Sequence, residues 1–396
     1  MQDQRESGRQ QVLETIRQSE RIARIDIAKR TEISPATVTT ITSELLSAGL
    51  IEELQPAIVP GAAKRGRPRV ALQVRANAFL VAGMKVADQQ ISVVLLDFVG
   101  ETVAEHSQTI EKGRRSAEGL AEMVRDVLRT ACARAGRQIS DVAGLGLGLA
   151  GLIDAERNYV YWSPNLDTRN VELGKVLAQV LEMPVFLDND ANLVAKAEQH
   201  FGEGRGETDF IVVTIEQGVG MGIVLENKIY RGERGCGAEL GHTKVQLDGA
   251  MCRCGQRGCL EAYVGDYALL REASVHGQWM PQDSVASLYD HAKAGDRTAH
   301  SIFERAGKML AMGLSNVINV FDPKLVILAG EQASLDFFEG ERLLQWVRES
   351  VVHVDAPLPE IRVHRWGDLM WAKGAAAYAI EAVTVLKIKD LSRDAA

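Results

Sequence analysis

No stretch of this 396-residue chain offers the run of about 18 uncharged apolar residues that a membrane span requires. Its first residues, Met1-Gln2-Asp3-Gln4-Arg5-Glu6, are polar and lack the apolar core of a secretory signal, which points to the cytoplasm. Positive charge is short as well: 45 Lys and Arg against 53 Asp and Glu, −8 in all, exclude a chain that coats nucleic acid along its whole length. Cysteine is scarce and odd in number, five residues, three of them crowded into Cys252, Cys254 and Cys259. In a cytoplasmic chain that crowding favours metal over a disulfide framework. The 46% hydrophobic and 25% charged residues are those of a soluble globular protein, long enough for two or three domains.

The shortage of positive charge is uneven. Residues 1–78 hold 12 Lys/Arg and 9 Asp/Glu, a net charge of +3, while the remainder holds 33 against 44, or −11. A small basic module precedes an acidic body. Within the module, Val12, Leu13 and Ile16 recur at helical spacing between Gln10 and Arg17. Ile25, Ile27 and Ala28 begin a short second helix through Arg30, and Ser34-Pro35 reads as an N-cap serine with proline in the first turn of a third. That helix runs to about Ala48 and stops at Gly49, with Val38, Ile41, Leu45 and Leu46 as its buried stripe. The other face, Thr37, Thr39, Thr40, Thr42 and Ser43, is short, polar and neutral where a solvated face would carry Lys and Glu. Small hydroxyls suit a surface that must approach base edges and phosphates in a major groove. Ser34, Ala36, Thr37, Thr39 and Thr40 are therefore the candidate DNA contacts of a recognition helix. An ordinary three-helix bundle is the alternative.

Leu50 to Leu54 reads as a strand, and from Pro56 to Ala78 there is no acidic residue, whereas Lys64, Arg65, Arg67, Arg69 and Arg75 are all basic. Arg65-Gly66-Arg67-Pro68-Arg69 is extended, proline-stiffened and thin enough for an A·T-rich minor groove, so Arg65, Arg67 and Arg69 are candidate wing contacts. A basic linker is the competing reading. After a helix-turn-helix pattern the wing is the better one, giving a DNA-binding module over 1–78.

Beyond Ala78 come three strands (79–86, 91–96, 101–108), a helix (116–135), a glycine-dotted strand (142–149), a helix (171–181) and a strand (184–187). This alternation means an α/β fold. The last strand delivers Asp188-Asn189-Asp190-Ala191-Asn192 to a helix over 193–200, and ligands of α/β folds bind beyond the carboxyl ends of strands. Helix capping alone would need one such residue, not four. A further strand (210–215), a hairpin arm (223–225), a strand (325–328) and a long helix opening at Gly374 follow.

His242, Cys252, Cys254 and Cys259 make the pattern His-x9-Cys-x-Cys-x4-Cys, with Gly255 and Gly258 supplying tight turns. One imidazole and three thiolates complete a closed tetrahedral set, so the expected ion is structural Zn2+, with no open position for hydrolysis. The loop it pins carries Glu239 and Glu261.

Glu239-Leu240-Gly241-His242 and Cys252-Arg253-Cys254-Gly255-Gln256-Arg257-Gly258-Cys259-Leu260-Glu261 resemble the ROK family of repressors, open reading frames and kinases. Gly148 to Asp154, Pro164-Asn165-Leu166, Asn189 to Asn192 and Asp322 to Gly330 extend the likeness over essentially the whole chain. The basic module with Gly66-Arg67-Pro68 is similar to that of the family's repressors, which its kinases lack. The resemblance implies an actin-like, RNase H-like two-lobed body: 79–190 plus 377–396 as first lobe, and 191–376 as second lobe with zinc site and dimerisation surface. It implies sugar contacts at Gly151, Asn165, Asn189, Asp190, Glu239, His242 and Glu261.

Two departures bear on chemistry. The kinases' first phosphate loop, Asp-x-Gly-Gly-Thr, is replaced by Gly83-Met84-Lys85-Val86-Ala87, and their Leu-Gly-Thr-Gly by Ile215-Glu216-Gln217-Gly218, with a carboxylate where triphosphate would lie. At about 4 Å and an effective dielectric near 20 that repulsion is worth roughly 4 kcal/mol per charge pair. The expectation is a non-enzymatic repressor that binds operator DNA as a homodimer or tetramer and answers to a monosaccharide or sugar derivative. The rivals are an active kinase fused to a DNA-binding domain and a repressor controlled by a phosphotransferase-system protein.

Overall fold

The computed structural model describes residues 2–19, 21–54, 70–275, 284–338, 340–352, 357–365, 367 and 369–394. The head comprises α1 (Gln2–Gln18), β1 (Ile22–Ala23), α2 (Arg24–Thr31), α3 (Pro35–Ser47), β2 (Ile51–Leu54) and β3 (Ala71–Val74). Val12, Leu13 and Ile16 of α1, Ile27 of α2 and Val38 and Leu45 of α3 close its core, as their helical spacing requires. Ser34 accepts the Thr37 N–H at 3.2 Å and Pro35 follows in the first turn, so α3 starts as the sequence indicates. β3 lies in the stretch read only as a basic wing; it pairs antiparallel with β2, Ile51 opposite Val74 and Leu54 opposite Ala71. Residues 55–69, with Arg65, Arg67 and Arg69, lie outside the described residues.

The body continues with β4 (Leu80–Val86), β5 (Gln90–Asp97), β6 (Thr102–Thr109), α4 (Ala117–Arg134), β7 (Val142–Leu149), β8 (Leu152–Asp154), β9 (Tyr159–Trp162), α5 (Leu173–Leu181), β10 (Val185–Asn189) and α6 (Asp190–Phe201). Then come β11 (Phe210–Ile215), β12 (Val219–Leu225), β13 (Lys228–Ile229), α7 (Glu261–Val264), α8 (Asp266–Val275), α9 (Val285–Lys293) and α10 (Arg297–Phe321). The chain closes with β14 (Leu325–Ala329), α11 (Glu341–Ser350), β15 (Glu360–Val363) and α12 (Met370–Asp394).

Two five-stranded sheets result, ordered β10-β7-β4-β5-β6 and β13-β12-β11-β14-β15. Taken in chain order each reads 3-2-1-4-5, so one connectivity is used twice. In both, the first strand pairs antiparallel with the second (β4 with β5, β11 with β12), and in the later sheet β14 runs parallel to β11 and β15 to β14. This doubled α/β plan accords with the expected class.

The chain forms two compact units, Met1–Leu147 with Glu172–Phe186 and Ala375–Ala396, and Gly148–Val171 with Leu187–Gly374. In the first, the head is fastened by α1. Arg9, 4% exposed, donates to the Glu44 carboxylate of α3 at 2.8 Å and to Ser392 Oγ of α12. Arg17 lays its guanidinium 4.6 Å over the Phe98 ring. In the second, Phe303, Leu310 and Leu314 of α10 join Val213 of β11 and Leu328 of β14 in one apolar cluster.

Several boundaries shift. α1 begins at Gln2 instead of near Gln10, and α12 at Met370 instead of Gly374. Thr42, assigned to the exposed face of α3, is fully buried; its Oγ1 accepts from Arg24 Nε at 3.0 Å. Backbone crowding gives a direct test of the packing. A Cβ on Gly146 of β7 would lie 1.9 Å from the Ala375 carbonyl oxygen of α12. Gly146→Ala should cost about 1–3 kcal/mol, seen as a lowered melting temperature.

Candidate functional site

The second unit gathers most of the chemistry-bearing residues singled out above. His242 closes a single 3-10 turn, Leu240–His242, and the three cysteines follow in a loop with little regular structure. The ligand atoms of His242, Cys252, Cys254 and Cys259 all lie within 4.8 Å of one another. Cys252 Sγ is 3.7 Å from His242 Nδ1, and Cys254 Sγ is 3.7 Å from Cys259 Sγ. A disulfide would need about 2.0 Å. A tetrahedral ion with metal–sulfur bonds of about 2.3 Å has edges of about 3.8 Å, so the spacing fits a shared ion. Lys244 Nζ stands 3.0 Å from Cys259 Sγ.

Glycine makes the loop possible. Gly255 (φ 87°) and Gly258 (φ 78°) take the left-handed conformation. A side chain on Gly258 would also place its Cβ 1.7 Å from the Gln246 carbonyl oxygen.

Beside this set stand three carboxylates. Asn189 ends β10 and caps α6, accepting the Ala191 N–H at 2.9 Å and donating Nδ2 to the Gly151 carbonyl at 2.9 Å. Asp190 opens α6, three residues earlier than the sequence suggests. Glu239 precedes the 3-10 turn, its Oε2 3.9 Å from His242 Nε2; the imidazole thus turns Nδ1 to the thiolates and Nε2 to the carboxylate. Burial first, then the charges of Asp190 and Glu261, push the Glu239 carboxyl up to about 7. The side chain keeps 43% of its surface open, which moderates the rise without reversing it. Glu261 begins α7, with Oε1 3.3 Å from Tyr267 Oη and 3.5 Å from Cys252 Sγ. Gly151 (φ 130°) is fixed against β9, where a Cβ would stand 2.2 Å from the Trp162 carbonyl. Asn165 is buried in the turn after β9, donating its N–H to Ser163 Oγ at 3.2 Å.

Two partners were missed from the sequence. Tyr267 touches Cys252, Glu261 and the Arg253 N–H at once and lies 4.0 Å beneath the Arg253 guanidinium. Arg231 reaches back to Asp188 across 43 positions. Nothing local announces either contact.

The β11–β12 turn carries Glu216, whose carbonyl accepts the Asp266 N–H at 3.1 Å. Burial, then Glu331, push the Asp266 carboxyl up to about 6, and its Oδ1 is buried without a partner. Acidic groups therefore crowd this turn, and anions are disfavoured there.

In the head, Ser34, Ala36, Thr37, Thr39 and Thr40 are all exposed. Thr39 and Thr40 turn their hydroxyls back to the Pro35 and Ala36 carbonyls at 2.8 and 3.3 Å, which keeps that face low. Among the described residues no helix is long and apolar enough to cross a membrane.

Residues 81–382 match the family model described as ROK family, and residues 8–56 the one described as MarR family. A xylose repressor of Caldicellulosiruptor bescii is 31% identical over 351 residues, 86% of each chain. The fold is similar to a crystal structure of a ROK family transcriptional regulator, a homolog of the E. coli MLC protein. The TM-score is 0.83 with 25% identity, over 98% of this chain and 99% of that one. A ROK hexokinase from Thermus thermophilus is similar with a TM-score of 0.62 and 28% identity, over 79% of this chain and 100% of that one.

Two measurements probe this site. Cys252→Ser should drop the metal content, read by elemental analysis, from one ion per chain towards zero and lower the melting temperature. Asp266 is costly to ionise in the fold. Its contribution is full below the unfolded value near 3.8 and is lost as pH rises through about 6. Asp266→Asn should therefore stabilise by on the order of 2 kcal/mol at pH 7.5 and by nothing at pH 3.5, measured by denaturant melts.

Proposed function

The chain belongs to the ROK family, and from that membership we propose a transcriptional repressor of carbohydrate uptake or catabolism genes, whose body binds a monosaccharide without phosphorylating it. One conjunction carries the reading: a head that matches the MarR family, with an exposed hydroxyl-lined α3, on the same chain as the Asn189, Asp190, Glu239 and Glu261 cluster. Buried sugar hydroxyls each need a hydrogen-bond partner, and amides and carboxylates supply several at once. Asn189, Asp190, Glu239, His242 and Glu261 would hold the sugar, with Gly151 and Asn165 lining it. The xylose repressor's name favours a pentose among the sugars to try first.

The ion is assigned as structural Zn2+: three thiolates and an imidazole leave it no open position. It would hold His242 through Nδ1 so that Nε2 faces the sugar, fixing the tautomer. Its chemistry there is cross-linking alone. Residues 1–78 act as the DNA-binding module, with Ser34, Ala36, Thr37, Thr39 and Thr40 in the major groove and Arg65, Arg67 and Arg69 in the minor groove. A homodimer would present two such helices to a pseudo-palindromic operator in the cytoplasm.

The likeness to a hexokinase makes kinase activity the reading to exclude. Glu216, Asp266 and Glu331 argue against triphosphate near the β11–β12 turn. The full chain with D-xylose, D-glucose or N-acetyl-D-glucosamine should show a ligand-raised melting temperature and changed operator occupancy, with no ATP turnover in a coupled assay. Measurable turnover would sink this reading. Glu239→Gln with Glu261→Gln should abolish the sugar-induced shift while leaving apo-protein binding to operator intact. Thr39→Glu should weaken operator binding at least tenfold and leave the sugar shift unchanged.

A further inference from the structure

Asp188 is the last buried residue of β10 before the Asn189–Asp190 pair, and it is 1% exposed. Its carboxylate is fully engaged. Oδ1 accepts the Asn189 N–H at 2.8 Å and Asn192 Nδ2 at 2.9 Å; Oδ2 accepts Arg231 Nε at 2.9 Å and Nη2 at 2.6 Å. Two of these four donors belong to the segment that carries the pair, and the other two arrive from beyond β13. A carboxylate so saturated and so buried is tolerable only while every donor stays in place.

Arg231 is also where the next segment begins. Its carbonyl accepts the Gly237 N–H at 2.8 Å, closing residues 231–237 into a ring. Within the ring Gly235 (φ 71°) lies so close to β8 that a Cβ would meet the Ile153 carbonyl oxygen at 2.7 Å and Asp154 Cα at 2.9 Å. Ala238 then takes a left-handed φ of 68°, and the next residue is Glu239. One side chain thus fastens the end of β10, and its own backbone closes the loop that ends at Glu239.

We propose that Arg231 is a positioning residue of the effector site: seated on Asp188, it sets the separation between the Asn189–Asp190 pair and Glu239. The proposal rests on the reading of that cluster as a sugar site. A planar, two-donor guanidinium grips the carboxylate through both Nε and Nη2, which a lysine cannot reproduce.

Calorimetric titration of the full-length chain with D-xylose, D-glucose and N-acetyl-D-glucosamine, with metal content measured in parallel, provides the test. Arg231→Met should weaken sugar binding at least tenfold and keep the wild-type metal content. Because that variant leaves Asp188 charged and buried, the double variant Asp188→Asn with Arg231→Met removes both charges; it should stay equally weak. Arg231→Gly should regain affinity when ethylguanidinium is added. Wild-type affinity in Arg231→Met, recovery in the double variant, or loss of metal alongside sugar would each overturn the positioning role while leaving the sugar site standing. Failure of the wild-type chain to bind any of the three sugars would overturn the site itself, and the role of Arg231 with it.

Discussion

The region from Arg231 to Leu260 has to hold like charges together with almost no helix or strand to help it. Burial first, then the charges of Asp190 and Glu261, raise the cost of ionising Glu239. Such a cluster disperses unless the chain around it is cross-linked. The cross-links are few and identifiable: the His242 and three-cysteine set, the Arg231–Asp188 pair, and Tyr267, which touches both Cys252 and Glu261. Left-handed glycines at 235 and 258 let the backbone pass where a side chain would collide, and Gly255 supplies a left-handed turn. The apolar cluster of β11, β14 and α10 supplies the rigid floor. A polyol is a fitting guest for this arrangement, since it offers hydroxyl donors to carboxylates that otherwise face one another.

How much of this was legible in the residues depends on distance along the chain. The metal set is compact, with its three cysteines inside eight positions, and its chemistry is restrictive, so spacing alone was informative. The cap at Ser34 and the buried positions Val38, Ile41 and Leu45 of α3 were equally local and were read correctly, whereas Leu46, expected in the same stripe, is only half-buried. Thr42 was not, because its burial depends on Arg24 of another helix, and a threonine looks the same on either face. Arg231 was passed over for a similar reason. Its partner lies 43 positions earlier, and an arginine beside glycines usually signals a turn. β3 was missed because basic residues and prolines dominate the stretch that leads into it, although Leu72 and Val74 alternate as a strand should.

The head is not merely tethered. Arg9 spans from α1 to Glu44 of α3 and Ser392 of α12, so the helix assigned to DNA and the last helix of the chain share one buried cation. Arg9 is buried while Glu44 remains about a third exposed, so the cost of losing the pair falls chiefly on the arginine. Arg9 thus puts α1, α3 and α12 in contact through a single side chain.

The doubled strand order makes the connections of the two sheets directly comparable. In each sheet the third strand is joined to the fourth by a connection outside the sheet. Between β6 and β7 it is little more than α4; between Ile229 and Leu325 it holds the cysteine loop and α7 to α10. One sheet carries a plain bridge, while the other lengthens the same connection into the loop that bears Glu239, His242 and Glu261. Three of the seven positions assigned to the sugar thus sit on a connection whose length the strands do not constrain.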